Sequence, residues 1–281
     1  MIVTTLEQVQ KYLPSFNLKV KVDRIRDFLD RAQQWMVEHI IGDDIEELLE
    51  IDIEEGAPDP HERLRTLASR AICAKAYIDL VAEMDLQLSE AGFVVQNNGQ
   101  MSPASQQRTA SLVQSLHNRL CADADSLVKL LLTDAAYDDW LGTDQFAYLT
   151  EAFMPTTAIV RQNAPSAMQI ANWQDFYDMV PRMVEALRGP VASYISTDEI
   201  DRLLEMYRDR ELLEVHRKVL HWVRMAVMAH VTGVANADRF AIEARQWMLK
   251  HESSFPEFAG SDRYELPEPF SFGDGTVANA L

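Results

Sequence analysis

The side chains of this sequence best placed to do chemistry are its histidines and its grouped acids. His216, His221 and His230 fall on one helical stretch. Two imidazoles on one helix share a metal ion when they stand about three or four residues apart. Spacings of five and nine do not present these three on one face. His61-Glu62 opens like a zinc-protease motif, but no second histidine follows at the required distance. All these histidines are expected as solvated or hydrogen-bonded surface groups. The clusters Asp43-Asp44-Glu46-Glu47 and Asp134-Asp138-Asp139 lack the alternating oxygen ligands of a calcium loop. The first is accounted for by acids favouring a helix N-terminus. The sequence has no Gly-x-Ser-x-Gly elbow, no phosphate-cradling Gly-Lys-Ser/Thr loop and no Gly-x-Gly-x-x-Gly. Gly273-Asp274-Gly275-Thr276 has no strand before it. The expectation is therefore no catalytic residue, no metal and no cofactor. An unrecognised metal-dependent enzyme stays as an alternative.

The elements that must carry these residues are helices. Thr4-Thr5-Leu6-Glu7 reads as a capping box, and the helix it starts stops at Pro14. Ile25, Phe28, Leu29, Ala32, Met36 and Ile40 recur at helical spacing up to Gly42. Asp43 is expected to cap a short helix carrying Ile45, Leu48 and Leu49. An acidic loop from Ile51 to Pro60 leads into a second long helix through Leu64, Leu67, Ala71, Ala74, Tyr77 and Leu80. The turn signal Asn97-Asn98-Gly99 allows a small β-hairpin near residues 92–103. A further helix covers about 104–132. The fold class expected is all-α.

Composition narrows the function. The chain has 281 residues and a net charge of −18. Such a surface repels nucleic acid and anionic membrane. Solubility alone explains it; a surface that DNA passes without sticking is the sharper reading. Cys73 and Cys121 form no C-x-x-C pair and are expected as buried free thiols in a reducing compartment. No secretory signal opens the sequence, and no stretch is long and apolar enough to span a bilayer. An intracellular soluble protein is expected.

The specific feature is internal. Tyr137, Trp140, Gly142, Asp144 and Phe146 line up, 118 positions on, with Phe255, Phe258, Gly260, Asp262 and Tyr264. Helical residues repeat as well. Ile25, Phe28, Leu29 and Ala32 fall on Val180, Met183, Val184 and Leu187, and the cap recurs as Ser196-Thr197-Asp198-Glu199. These matches predict two tandem copies of one helical unit. The first covers 1–150, with insertions near 51–61 and 90–120; the second covers 151–264. One departure is Gly189-Pro190, where a proline is expected to kink or end the second copy's long helix. Trp140 and Trp173 are expected as core anchors, with an interface as the alternative. A tail over 265–281 carries Phe270 and Phe272 as interface candidates, packing on its own domain or docking on a neighbouring subunit.

The order of elements adds a resemblance. A short helix Thr5–Leu13 comes first. Next is a long helix ending at Ile40-Ile41-Gly42, and then an Ala/Leu-rich helix over Leu64–Leu80. This resembles the head-tail connector, or adaptor, proteins of tailed bacteriophages. The tandem arrangement is similar to a duplicated helical family from prophage regions of gut bacteria. The resemblance covers about residues 4–95 and, more loosely, 165–235. It implies a ring homo-oligomer in contact with portal or tail components, with DNA only as passing cargo. It places the protein in the virion, or in the bacterial cytoplasm during assembly. The alternative is a helical binding or regulatory module whose pseudo-symmetric surface holds one protein partner.

Overall fold

Apolar residues three and four apart put one face of each helix against its neighbours, and this builds the fold. The computed structural model describes residues 2–13, 22–51, 53, 57–84, 87–89, 92–94, 106–164 and 170–265. The described elements are helical apart from one short ladder, and the protein is all-α. The chain divides into two compact units. Unit 1 comprises Met1–Thr150, Met154–Ile159 and Gln169–Met179; unit 2 comprises Glu151–Phe153, Val160–Met168 and Val180–Leu281.

Unit 1 opens with α1 (Leu6–Tyr12). Its capping box lies one residue later than expected: Gln8 N donates to Thr5 Oγ1 at 3.2 Å, and Gln8 Oε1 accepts from Thr5 N at 3.0 Å. Helix α2 (Val22–Met36) continues into a π-helical segment, Val37–Ile41. The wider turn absorbs one extra residue, and Met36, Ile40 and Ile41 are all fully buried. Gly42 follows with φ +74° and serves as the N-cap of α3 (Asp43–Glu50), so Asp43 is the first helical residue and not the cap. Asp43, Asp44 and Glu46 do occupy the first turn of α3.

The centre of unit 1 is α4 (Glu62–Met84), packed between α2 and α5 (Gln106–Thr133). Alanines at 68, 71, 74 and 76 are buried in α4 and allow close approach; Leu116, Leu120, Leu127, Val128 and Leu131 face them from α5. Cys73 and Cys121 are buried in these two helices and are not joined in a disulfide. Burial pushes the Cys73 thiol up to about 12. Between α4 and α5, β1 (Gln87–Ser89) pairs antiparallel with β2 (Gly92–Val94). This ladder lies upstream of the expected turn, and Asn97-Asn98-Gly99 falls outside the described residues; the hairpin over 92–103 is not confirmed. A 3-10 segment, Ala135–Gly142, then α6 (Asp144–Thr150) complete this stretch. Helix α7 (Thr157–Asn163) begins on Asp125, which accepts from Thr157 N at 2.9 Å and Ala158 N at 2.8 Å. Helix α8 (Trp173–Tyr177) buries Trp173 in the core.

The long stretch of unit 2 opens with α9 (Val180–Ala186), a π segment Leu187–Val191, and α10 (Ala192–Ile195) in one helical run. Gly189-Pro190 neither ends nor interrupts it; the π segment takes up the residue whose backbone cannot donate. Ser196, with φ +93°, caps α11 (Thr197–Arg208) by accepting from Glu199 N at 3.2 Å. Helices α12 (Glu214–Val231) and α13 (Asp238–Lys250) pack together through Val219, Val223, Ala226, Ala241, Ala244 and Met248. A 3-10 turn Glu252–Ser254 and α14 (Pro256–Ala259) finish the described chain. Among the described residues no helix is long and apolar enough to cross a membrane.

Candidate functional site

The aromatic-glycine blocks form a clasp in each unit. In unit 1, Asp134 Oδ1 accepts from Ala136 N at 3.1 Å and starts the 3-10 segment. That segment turns Tyr137 and Trp140 inward, where they are 4 % and 0 % exposed. The Tyr137 hydroxyl lies 3.2 Å from His61 Nδ1. Trp140 Nε1 donates to Ile40 O at 2.8 Å, and Gln145 Nε2 donates to Glu38 O at 3.3 Å. Both carbonyls belong to the π segment, near a helix end whose last carbonyls have no partner within the helix. Thr143 Oγ1 donates to Trp140 O at 2.8 Å and accepts from Phe146 N at 3.2 Å. Trp140 and Phe146 meet edge to face, with centroids 5.3 Å apart. Gly42 closes the clasp: a Cβ there would lie 3.0 Å from Gln145 Oε1.

Unit 2 holds its own aromatic block with some comparable contacts. Phe255 and Phe258 are fully buried. Phe255 meets His216 edge to face at 5.3 Å, where Tyr137 in unit 1 meets His61 at a tilt, with centroids 5.6 Å apart. Ser261 Oγ donates to Phe258 O at 2.7 Å, and Phe258 meets Tyr264 at 5.8 Å. One element differs. Phenylalanine has no N–H to give, and here the backbone N of Phe258 donates to Glu199 Oε2 at 3.0 Å. Glu199 is three residues after the left-handed Ser196; three after Gly42 stands Ile45, also buried. Arg202 Nη1 holds the other oxygen of Glu199 at 2.9 Å and reaches Ser254 O at 3.2 Å. Buried Arg245 donates from Nε to Arg263 O at 3.2 Å.

The electrostatics of the second clasp follow from burial. Desolvation raises the Glu199 carboxyl above its ordinary range, against the opposing Phe258 N–H and Arg202 guanidinium. Desolvation lowers the His216 imidazole, against its bond to Ser254 O. His216 is 2 % exposed, not the surface histidine expected: its Nδ1 accepts from Leu213 N at 3.2 Å, and Nε2 lies 3.1 Å from Ser254 O. Its partners all come from chain segments distant in sequence or from its own helix start, so no local pattern gave it away. Glu199 stood out only as a cap residue.

The other signature residues are peripheral. Gly142, Asp144, Gly260 and Asp262 are exposed, and Tyr264 is half-buried. A Cβ at Gly142 would meet nothing within 4 Å, so space does not demand glycine there. Phe270 and Phe272 fall outside the described residues. Beside the second clasp is a polar cleft of about 480 Å³ that includes Arg188, Ser196, Asp198, Ser261 and Arg263. Arg188 is paired with Asp201 at 2.5 Å. Among the described residues no three His, Cys, Asp or Glu side chains converge as a metal site requires.

Residues 23–149 match a family of unknown function, DUF6712. The DUF6712 match begins in α2 and ends one residue before unit 1's first stretch ends at Thr150, so it contains the whole first clasp. No curated protein and no solved structure matches the chain.

Unit 1 also carries an aromatic belt on its surface. Trp35 and His39 stack at 5.6 Å, His39 meets Tyr177 at 4.6 Å, and Tyr177 stacks on Tyr148 at 4.4 Å. All four are partly exposed. Lys75 Nζ stands 5.9 Å over the Trp35 ring and pairs with Asp79 at 2.6 Å.

Proposed function

We propose that this chain is a non-enzymatic assembly protein of the phage head-tail connector kind, made of two tandem copies of one helical unit. Its copies form a ring, in contact with portal or tail components, in the virion or in the bacterial cytoplasm during assembly. The observation that carries the reading is the clasp built twice. In both units a helical run that contains a π segment ends at a left-handed residue from which the next helix starts, and an aromatic block folds back on that region. The aromatic partners and the hydroxyl bond recur at the same offset of 118 positions, and each block also packs against a histidine. Such a unit presents rigid helical faces and spends its polar groups on holding itself together. That suits a part that works by contact.

The acidic surface supports the same reading. With 44 acidic against 26 basic residues, a channel wall made from this chain would repel passing DNA and leave it free to slide. The test is the size of the purified full chain at low salt and high concentration, by multi-angle light scattering and electron microscopy. A closed ring of defined mass is expected. A strictly monomeric particle, alone and with virion components, overturns the reading.

The belt of Trp35, His39, Tyr148 and Tyr177 favours the second reading, a binding module. Aromatic side chains that are half-exposed and already stacked are typical anchors of a partner surface. Native mass spectrometry of the chain from its source separates the two: a 1:1 complex with a different protein supports the module, and a homo-oligomer supports the connector.

A further inference from the structure

Three cationic side chains gather in unit 1 of this strongly acidic chain. Lys11, Arg70 and Arg119 border a cleft of about 350 Å³ whose remaining lining is Tyr12, Leu13, Ala74 and Asp123. Leu13 and Ala74 are each 2 % exposed and make an apolar floor. Asp123 is buried and bonded to Arg70 at 3.0 Å, so one carboxylate faces three cations. The cations are exposed on the rim.

The complementary feature lies elsewhere in the same unit. Ile51 and Ile53 are 57 % and 37 % exposed, two of the four exposed large apolar residues among those described. They follow directly on α3, whose outer face carries exposed Asp43, Asp44, Glu47 and Glu50. In sequence Asp52 stands between them and Glu54-Glu55 after them. Arg65 fixes the backbone here: it bonds Leu49 O, reaches Ile51 O at 3.4 Å and is anchored by Asp59 at 2.9 Å. An apolar pair flanked by acids is complementary in charge to an apolar floor rimmed by cations.

We propose that copies of this chain join head to tail, the Ile51 and Ile53 side chains of one seating in the Lys11/Arg70/Arg119 cleft of the next. This rests on the connector reading. A contact between two different patches of one protomer closes into a ring when the rotation between copies permits. Paired opposite charges select the partner and speed its approach.

The test uses the full chain and two variants altered at exposed positions: Ile51→Ser with Ile53→Ser, and Arg119→Glu. Circular dichroism checks that each stays folded. Sedimentation velocity at low salt is expected to show the parent assembling and each variant associating about tenfold more weakly or worse. Mixed together, the two variants retain one intact cleft and one intact apolar pair, and are expected to give a 1:1 heterodimer and nothing larger. If the parent assembles and both variants match it, this interface is overturned while the connector reading stands. If the parent stays monomeric, both fall. A photo-cross-linker placed by Tyr12→p-benzoylphenylalanine is expected to trap residues near Ile51 of another copy; trapping residues 266–281 of its own copy overturns the proposal.

Discussion

Trp140 reaches across a hundred positions of sequence to donate its indole N–H to the carbonyl of Ile40, 2.8 Å away and fully buried. The bond joins the aromatic block to the π segment, and no water can replace it. Trp140→Phe keeps an aromatic ring but removes the donor and leaves space where the second ring stood. The expected cost is about 2–4 kcal/mol, combining a lost buried hydrogen bond with a partly unfilled cavity. Urea unfolding of the full chain followed by circular dichroism measures it. A change below about 0.5 kcal/mol, the scatter of neutral surface substitutions, shows that the clasp does not hold the unit.

Gly42 and Gly142 make a second contrast. Gly42 sits at φ +74° with Gln145 Oε1 3.0 Å from where a Cβ would be, whereas Gly142 has open space. Gly42→Ala must strain the backbone and push Gln145 away from Glu38 O. It is expected to cost about 1–3 kcal/mol, while Gly142→Ala stays within about 0.5 kcal/mol of the parent. Thermal unfolding of the two variants side by side is sufficient. Equal effects would show that the repeated glycine, and not the left-handed one, sets the corner.

Glu199 gives a pH signature. Burial raises its carboxyl above the ordinary 4.5, so between that value and its folded value the native state holds a proton the unfolded chain has released. Stability from this group is complete below 4.5 and declines as pH rises through the folded value. Glu199→Gln keeps an oxygen for Phe258 N and removes the ionisation. The parent-minus-variant stability is expected to fall with rising pH above 4.5, and a flat difference refutes the assignment. Glu199→Ala at neutral pH leaves Phe258 N without its partner and Arg202 with Ser254 O alone, and is expected to cost about 1–3 kcal/mol.

Much of this fold was legible because one-sided helices announce themselves. Ile25, Leu29, Ala32 and Met36 read as a buried face and are one. Trp140 and Trp173 read as core anchors and are buried. What periodicity misses is a change of one residue. The π segments at Val37–Ile41 and Leu187–Val191 insert a position without breaking the apolar face, so Gly189-Pro190 looked like a stop. The partners of the aromatics were out of reach for another reason. Ile40 O is a backbone atom and carries no sequence signal, and Glu199 and His216 are polar residues whose burial is set by segments 59 and 38 positions away. Gly42 was read as a terminator and does cap the end of the π segment; its left-handed φ also makes it the N-cap of α3.

His216 reports on the same clasp with the opposite slope. Its Nδ1 accepts the Leu213 N–H at 3.2 Å, which fixes the neutral ring with its proton on Nε2, aimed at Ser254 O. A second proton on Nδ1 would face that N–H and break the start of α12. Burial accordingly lowers the imidazole below its ordinary 6.5. Between its folded value and 6.5 the unfolded chain binds the extra proton, so stability from His216 is present above 6.5 and is lost as pH falls through the folded value. His216→Gln removes that ionisation, and the parent-minus-variant stability is expected to rise with pH up to about 6.5 and then level. Proton NMR of the His216 ring supplies a direct readout, with a titration midpoint expected below those of exposed histidines. A midpoint above 6.5 would mean that the charged form is the one the clasp prefers, with Ser254 O accepting from an imidazolium and the Leu213 N–H left to another partner.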